Sequence, residues 1–133
     1  MIAVGPSRQF AGQLINTLLS DERQIAETTF PVSFEHVFER LQLLKRMFIE
    51  LDGSFVWSGT FENQPWQMDG MLYDFGGQLQ RVELKGACPV SAWKELLECL
   101  TWPRQRVLAH CLDWHCMVDI NELLNLNSGV AHK

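Results

Sequence analysis

"WQMDGMLYDFGGQLQRVELKG", residues 66–86, is the stretch that decides the fold. Two runs rich in aromatic, aliphatic and alternating polar residues flank Gly76-Gly77, which reads as an antiparallel hairpin: strand, "FGG" turn, strand. In the second run Glu83 and Lys85 stand two apart, so their side chains leave one face while Val82 and Leu84 leave the other. Whether Asp69 joins them is a question of register. A two-residue loop, Gly76-Gly77, sets Asp69 opposite Leu84 and turns it away from Glu83. A three-residue loop, Phe75-Gly76-Gly77 with Gly77 left-handed, sets Asp69 opposite Glu83.

Working outward, "RMFIELDGSFVWSG" (46–59) places apolar and aromatic residues around Asp52-Gly53, a dipeptide suited to tight turns, and predicts a strand or hairpin ending near Gly59. "TFENQP" (60–65) is a polar loop. Before it, Ser33 is the expected N-cap of a helix whose stripe is Phe34, Val37, Phe38, Leu41, Leu44 and Phe48. Further upstream, residues 7–19 fit a short helix capped by Ser7, with Phe10, Leu14, Ile15 and Leu18 on one side, followed by a connector ending in Pro31. Downstream, "VSAWKELLECL" (90–100) is a helix with Trp93, Leu96, Leu97 and Leu100 as its apolar face. It stops at Trp102-Pro103, because proline disfavours helix in the residue before it. Residues 105–120 are β-like, either one strand or two around Asp113-Trp114. Asp119 and Glu122 then fit a capping box on a terminal helix.

The expected fold class is α+β (mixed α/β). It is a single domain with a helix-strand-strand-strand-helix-strand core, a mostly antiparallel sheet and extra terminal helices. The chain divides into an N-terminal helical arm and connector (1–32), one core domain (33–126) and a frayed tail (127–133). At 133 residues and 47% hydrophobic content it can build one core and not two.

Sixteen acidic against eleven basic residues give a net charge of −5, which disfavours attraction to nucleic acid and to anionic membrane surfaces. No apolar run reaches the length needed to span a bilayer and the N-terminus has no leader pattern, so the expectation is a cytoplasmic protein without a membrane span. The four cysteines (88, 99, 111, 116) lack knuckle spacing and read as buried thiols. In "HCLDWHC" (110–116) the zinc-type ligands His110, Cys111, His115 and Cys116 converge only if a turn folds the segment on itself. The preferred reading is core cysteines with edge histidines. Five tryptophans suggest a Trp-rich core. Alternatively Trp57 and Trp66, flanking a polar loop, form an aromatic surface for a protein partner.

The hairpin carries the chemistry. In the register of the three-residue loop, the facing carboxylates of Asp69 and Glu83 suit Mg²⁺ or Mn²⁺, hard cations that accept few protein oxygens and keep several waters. Lys85 beside them would orient an attacking water or stabilise charge on phosphorus, so the catalytic candidates are Asp69, Glu83 and Lys85 and the metal candidates Asp69 and Glu83. An acidic residue on one strand, then a hairpin, then Glu, an apolar residue and Lys resembles the restriction-endonuclease-like nucleases, the PD-(D/E)XK superfamily. Asp69, Glu83-Leu84-Lys85 and the element order from Ser33 to about Ile120 carry that resemblance. It implies a Mg²⁺-dependent phosphodiester hydrolase, active or degenerate. The chain departs from the pattern at Gln67-Met68, where the family name has proline. Glu35, Glu39 and Glu50 are candidates only by position for a further carboxylate. The competing expectation is a non-enzymatic acidic protein-binding module, of the immunity-protein or secretion-chaperone kind, acting as a homodimer through a sheet edge or a helix stripe.

Overall fold

The structure, a computed structural model, describes residues 10–15, 29–102, 104, 107–111 and 116–127. In chain order the elements are β1 (Phe10–Ile15), α1 (Phe34–Gln42), β2 (Met47–Ile49), β3 (Ser54–Phe61), β4 (Gln64–Phe75), β5 (Gln78–Ala87), α2 (Val90–Cys99), β6 (Leu108–Cys111), β7 (Cys116–Asp119) and α3 (Ile120–Asn127). The described strands form one sheet in the order β2-β3-β4-β5-β1-β6-β7, every neighbouring pair antiparallel. The α+β class is therefore as expected, with three additions to the four expected core strands: β2 precedes the three central strands, β1 joins the sheet, and the last strand is two, β6 and β7.

Short turns set the meander. At 50–54 the Glu50 N–H donates to the Ser54 carbonyl and the Gly53 N–H to the Glu50 carbonyl, with Gly53 at φ +97°. Asp52 Oδ1 accepts from the Ser54 N–H and hydroxyl at 2.9 and 2.7 Å, which holds the Asp52 carboxyl below its ordinary pKa. The polar loop narrows to Glu62-Asn63, both at positive φ, the backbone that a two-residue hairpin requires.

The largest correction lies at the N-terminus. Residues 10–15, expected in a helical arm, form a strand between β5 and β6: Phe10 pairs with Gly86, Gln13 with Glu83 and with His110. "FAGQLI" fits both periods, and the unpaired edges of β5 and β6 decide it, because their backbone groups need partners that a docked helix cannot supply. The remainder of the predicted arm helix, 7–9 and 16–19, lies outside the described residues. Past the end of β1, the connector continues the pairing of β5. Phe30 donates its N–H to the Leu79 carbonyl, Leu79 donates to Val32, and Phe34 donates to Gly77.

The helices pack on one face of the sheet. Ser33 caps α1 by accepting from the His36 N–H at 3.0 Å, and Val37 and Leu41 are buried beneath the helix. Helix α1 ends at Gln42, so Phe48, expected on its stripe, instead stands on β2, and Leu43 is exposed. Helix α2 buries Ala92, Trp93, Leu96 and Leu97, with Trp93 edge-on to Phe10 at 5.4 Å between ring centroids. Asp119 caps α3 by accepting from the Asn121 N–H at 2.9 Å. Leu14, Met68, Leu72, Val82 and Leu84 are buried sheet residues of the same core. Among the described residues, no helix is long and apolar enough to cross a membrane.

Candidate functional site

The register across β4 and β5 answers the question posed by the hairpin in a way neither simple loop predicts. The loop is the two residues Gly76-Gly77, at φ +62° and +90°, with Phe75 opposite Gln78. Two residues further, the register slips. Asp74 pairs with Leu79 but Tyr73 pairs with Arg81, leaving Gln80 as the extra residue of a β-bulge. The bulge restores what the short loop takes away. Asp69 faces Lys85 and Met71 faces Glu83, so Asp69, Glu83 and Lys85 share one side of the sheet. It is the side opposite the helices, and all three residues are exposed.

Their neighbours on that side follow from the pairings. β4 contributes Asp69, Met71 and Tyr73, β5 contributes Lys85, Glu83 and Arg81, and β1 contributes Ala11 and Gln13, with His110 beyond on β6. An open depression on this face is lined by Ala11, Gln13, Asp69, Met71, Glu83 and Lys85. Gln13 Nε2 lies 3.3 Å from His110 Nδ1.

Each carboxylate already has a partner. Gln67 Nε2 donates to Asp69 Oδ1 at 2.8 Å, and the Tyr73 hydroxyl donates to Glu83 Oε1 at 2.9 Å. The hydrogen bond to Glu83 raises the Tyr73 pKa above its ordinary value. The Arg81 guanidinium carbon lies 3.9 Å from the centre of the Tyr73 ring, a cation–π contact that holds this side of the ladder together. Glu83 thus leans toward Tyr73, and among the described residues Oδ2 of Asp69 and Oε2 of Glu83 are the oxygens without a hydrogen bond.

Two carboxylates suffice for a cation that retains most of its water. Among the described residues, no group of three or more His, Cys, Asp and Glu side chains could hold a metal, so such a cation would have only this pair.

The other sequence candidates are placed as follows. Trp57 is 2% exposed, as the Trp-rich core reading expects and against the alternative of an exposed aromatic surface: it alternates onto the helix-covered side, donates Nε1–H to the Lys45 carbonyl at 3.0 Å and meets Trp66 edge-on at 5.1 Å. Trp66 is only partly buried, and its indole lies over Gly59, where a Cβ would meet the ring within 3.0 Å. The "HCLDWHC" segment is two strands, β6 and β7, with Cys111 opposite Cys116, and residues 112–115 lie outside the described residues. Cys88 and Cys99 are buried free thiols whose pKa values burial pushes up.

Sequence reasoning missed the Gln80 bulge, yet the signal was present. Leu79 and Val82 are both buried although they stand three apart, a spacing that an unbroken strand cannot place on one face. Neither family models, nor curated proteins, nor solved structures match this chain.

Proposed function

We propose that the open face around Asp69, Glu83 and Lys85 is a divalent-cation site serving phosphodiester hydrolysis. The observation that supports it is the bulged register, which gathers all three residues on one face and around one depression. Asp69 Oδ2 and Glu83 Oε2 would hold Mg²⁺ or Mn²⁺ with water completing the shell. A bound cation would supply a polarised water and neutralise charge on the scissile phosphate. Lys85, opposite Asp69, is within the same row to meet a phosphate oxygen, and Gln13 on the neighbouring strand offers an amide to orient it. The net charge of −5 gives no long-range attraction to an extended polyanion. It favours a short phosphodiester over a nucleic-acid duplex.

A specific observation favours a second reading, the non-enzymatic binding module. Glu83 is engaged by Tyr73, and the whole face is open to water, where electrostatic catalysis is weakest.

The deciding experiment measures hydrolysis of bis(p-nitrophenyl) phosphate and of short DNA and RNA oligonucleotides with Mn²⁺. Wild type is run beside Asp69→Asn, Glu83→Gln and Lys85→Met. Turnover that each substitution lowers by about 10²-fold or more supports the hydrolase. Absence of turnover, or turnover indifferent to all three, returns the face to the binding reading.

A further inference from the structure

β6 and β7 form a hairpin at one end of the sheet, and β7, the terminal strand, passes straight into α3. Its register runs without a slip from Leu108 opposite Asp119 to Cys111 opposite Cys116. The two cysteines are therefore the last pair before the turn, at one level of the ladder and on one face of the sheet.

The backbone fixes which kind of pair this is. The Ile120 N–H donates to the Val107 carbonyl at 2.9 Å. Alternation along an antiparallel ladder then makes Val107 with Ile120, Ala109 with Val118 and Cys111 with Cys116 hydrogen-bonded pairs. The other side of β6 agrees. A Cβ added to Gly12 on β1 would meet the His110 carbonyl oxygen first, so His110 turns its carbonyl to β1 and Cys111 turns its own to β7.

Opposed residues in a pair of this kind stand about 5.5 Å apart between Cα atoms, inside the range of about 4.4–6.8 Å that a disulfide spans. In general their Cβ atoms lie toward the wide end of about 4.5–5.5 Å, whereas a relaxed disulfide holds them at about 3.5–4.5 Å. A bond at such a pair closes under strain, and strained disulfides are the readily reduced, regulatory ones.

We infer that Cys111 and Cys116 are a reversible disulfide site, a redox-operated clasp that ties the terminal strand β7 to β6. The oxidant is a small-molecule disulfide such as oxidised glutathione. The thiolate of one cysteine attacks a glutathione sulfur, the glutathione S–S bond breaks, and one glutathione leaves as its thiolate. The thiolate of the second cysteine attacks the cysteine sulfur of the mixed disulfide and expels the other glutathione. The two cysteines thus lose two electrons to glutathione disulfide, and their two protons end on the two glutathione thiols. Cys88 and Cys99, buried free thiols, stay outside the exchange. The site does not rest on the cation reading.

The test is tryptic mass mapping of the full native chain, equilibrated with oxidised glutathione and then alkylated. Trypsin releases Cys88 within 86–94, Cys99 within 95–104 and both Cys111 and Cys116 within 107–133, so each linkage has its own mass. The expected result is a 107–133 fragment that is lighter by two hydrogens and unalkylated. It should return to the dialkylated dithiol when excess reduced glutathione precedes alkylation. A register control moves one cysteine by a residue: Cys116→Ser with Met117→Cys barely changes the spacing along the chain and places the second cysteine on the opposite face from Cys111. Its native disulfide yield should fall about tenfold or more, while its yield in denaturant should match that of wild type. Four results overturn the inference: free or glutathione-capped thiols at both positions in wild type, linkage to Cys88 or Cys99 instead, a bond that reduced glutathione does not reopen, or equal native yields from wild type and the shifted variant.

Discussion

Gly70 sits on β4 between Asp69 and Met71, with Phe55 directly across on β3. A Cβ at this position would fall within 2.6 Å of Cζ, Cε1 and Cε2 of the Phe55 ring. Phe55 is 3% exposed beneath the helices, so the ring has no solvent to swing into. Gly70→Ala therefore forces either the ring or β4 to move. Overpacking of this kind costs about 1–3 kcal/mol. Loss of glycine's freedom in the unfolded chain offsets about 0.4–1 kcal/mol. The net expectation is a destabilisation of about 1–2 kcal/mol, a fall of roughly 3–10 °C in Tm for a chain of this size. Calorimetric melting of Gly70→Ala, Phe55→Leu and the double variant measures it. A leucine in place of the Phe55 ring makes room for the added methyl group, so the double variant should be more stable than the sum of the single effects by about 0.5 kcal/mol or more. A Gly70→Ala protein that melts at or above wild type, or strict additivity of the two changes, would refute the packing on which the β4 geometry rests.

Three further outcomes follow from named contacts. Tyr73 is the sole tyrosine, so ultraviolet titration reads it alone. Its midpoint should lie above the ordinary phenol value and fall toward it in Glu83→Gln. Because the folded pKa is raised, the associated stability is present below the unfolded value and fades as pH rises through the folded one. A midpoint insensitive to Glu83→Gln would mean that the hydrogen bond does not form in solution. Ser33→Ala leaves the His36 N–H without its cap acceptor and should cost about 1 kcal/mol in denaturant melts. Cys88 should resist a thiol reagent at neutral pH and react in step with unfolding, whereas rapid labelling of the native protein at Cys88 would contradict its burial.

How much of this is legible in the sequence varies element by element. The hairpin at 66–86, the Asp52-Gly53 turn and the caps at Ser33 and Asp119 are readable because each rests on local backbone chemistry. β1 is not, since Phe10, Leu14 and Ile15 satisfy helical spacing while Phe10 and Leu14 also satisfy strand alternation, and only the neighbouring strands select between them. Trp57 escapes a reading from its position beside a polar turn, because that position says nothing about facing, which alternation along β3 sets. Asp69, Glu83 and Lys85 share a face, yet by a different route from the one the sequence suggests. The route is a bulge at Gln80 rather than a longer loop at Phe75, and the odd Leu79-to-Val82 spacing is the available clue. The engagement of Glu83 by Tyr73 is hidden from the sequence, because it depends on that same slip of register.

The most direct measurement of the cation site is a calorimetric titration of the purified chain with Mn²⁺, run beside Asp69→Asn and Glu83→Gln, with the Tyr73 titration recorded in saturating Mn²⁺. The expected result is one binding event that either substitution abolishes. The Tyr73 midpoint should also drop toward the ordinary phenol value as Glu83 turns from the hydroxyl to the cation. No binding to wild type, or binding that survives both substitutions, would contradict the proposed site and leave the open face without a metal.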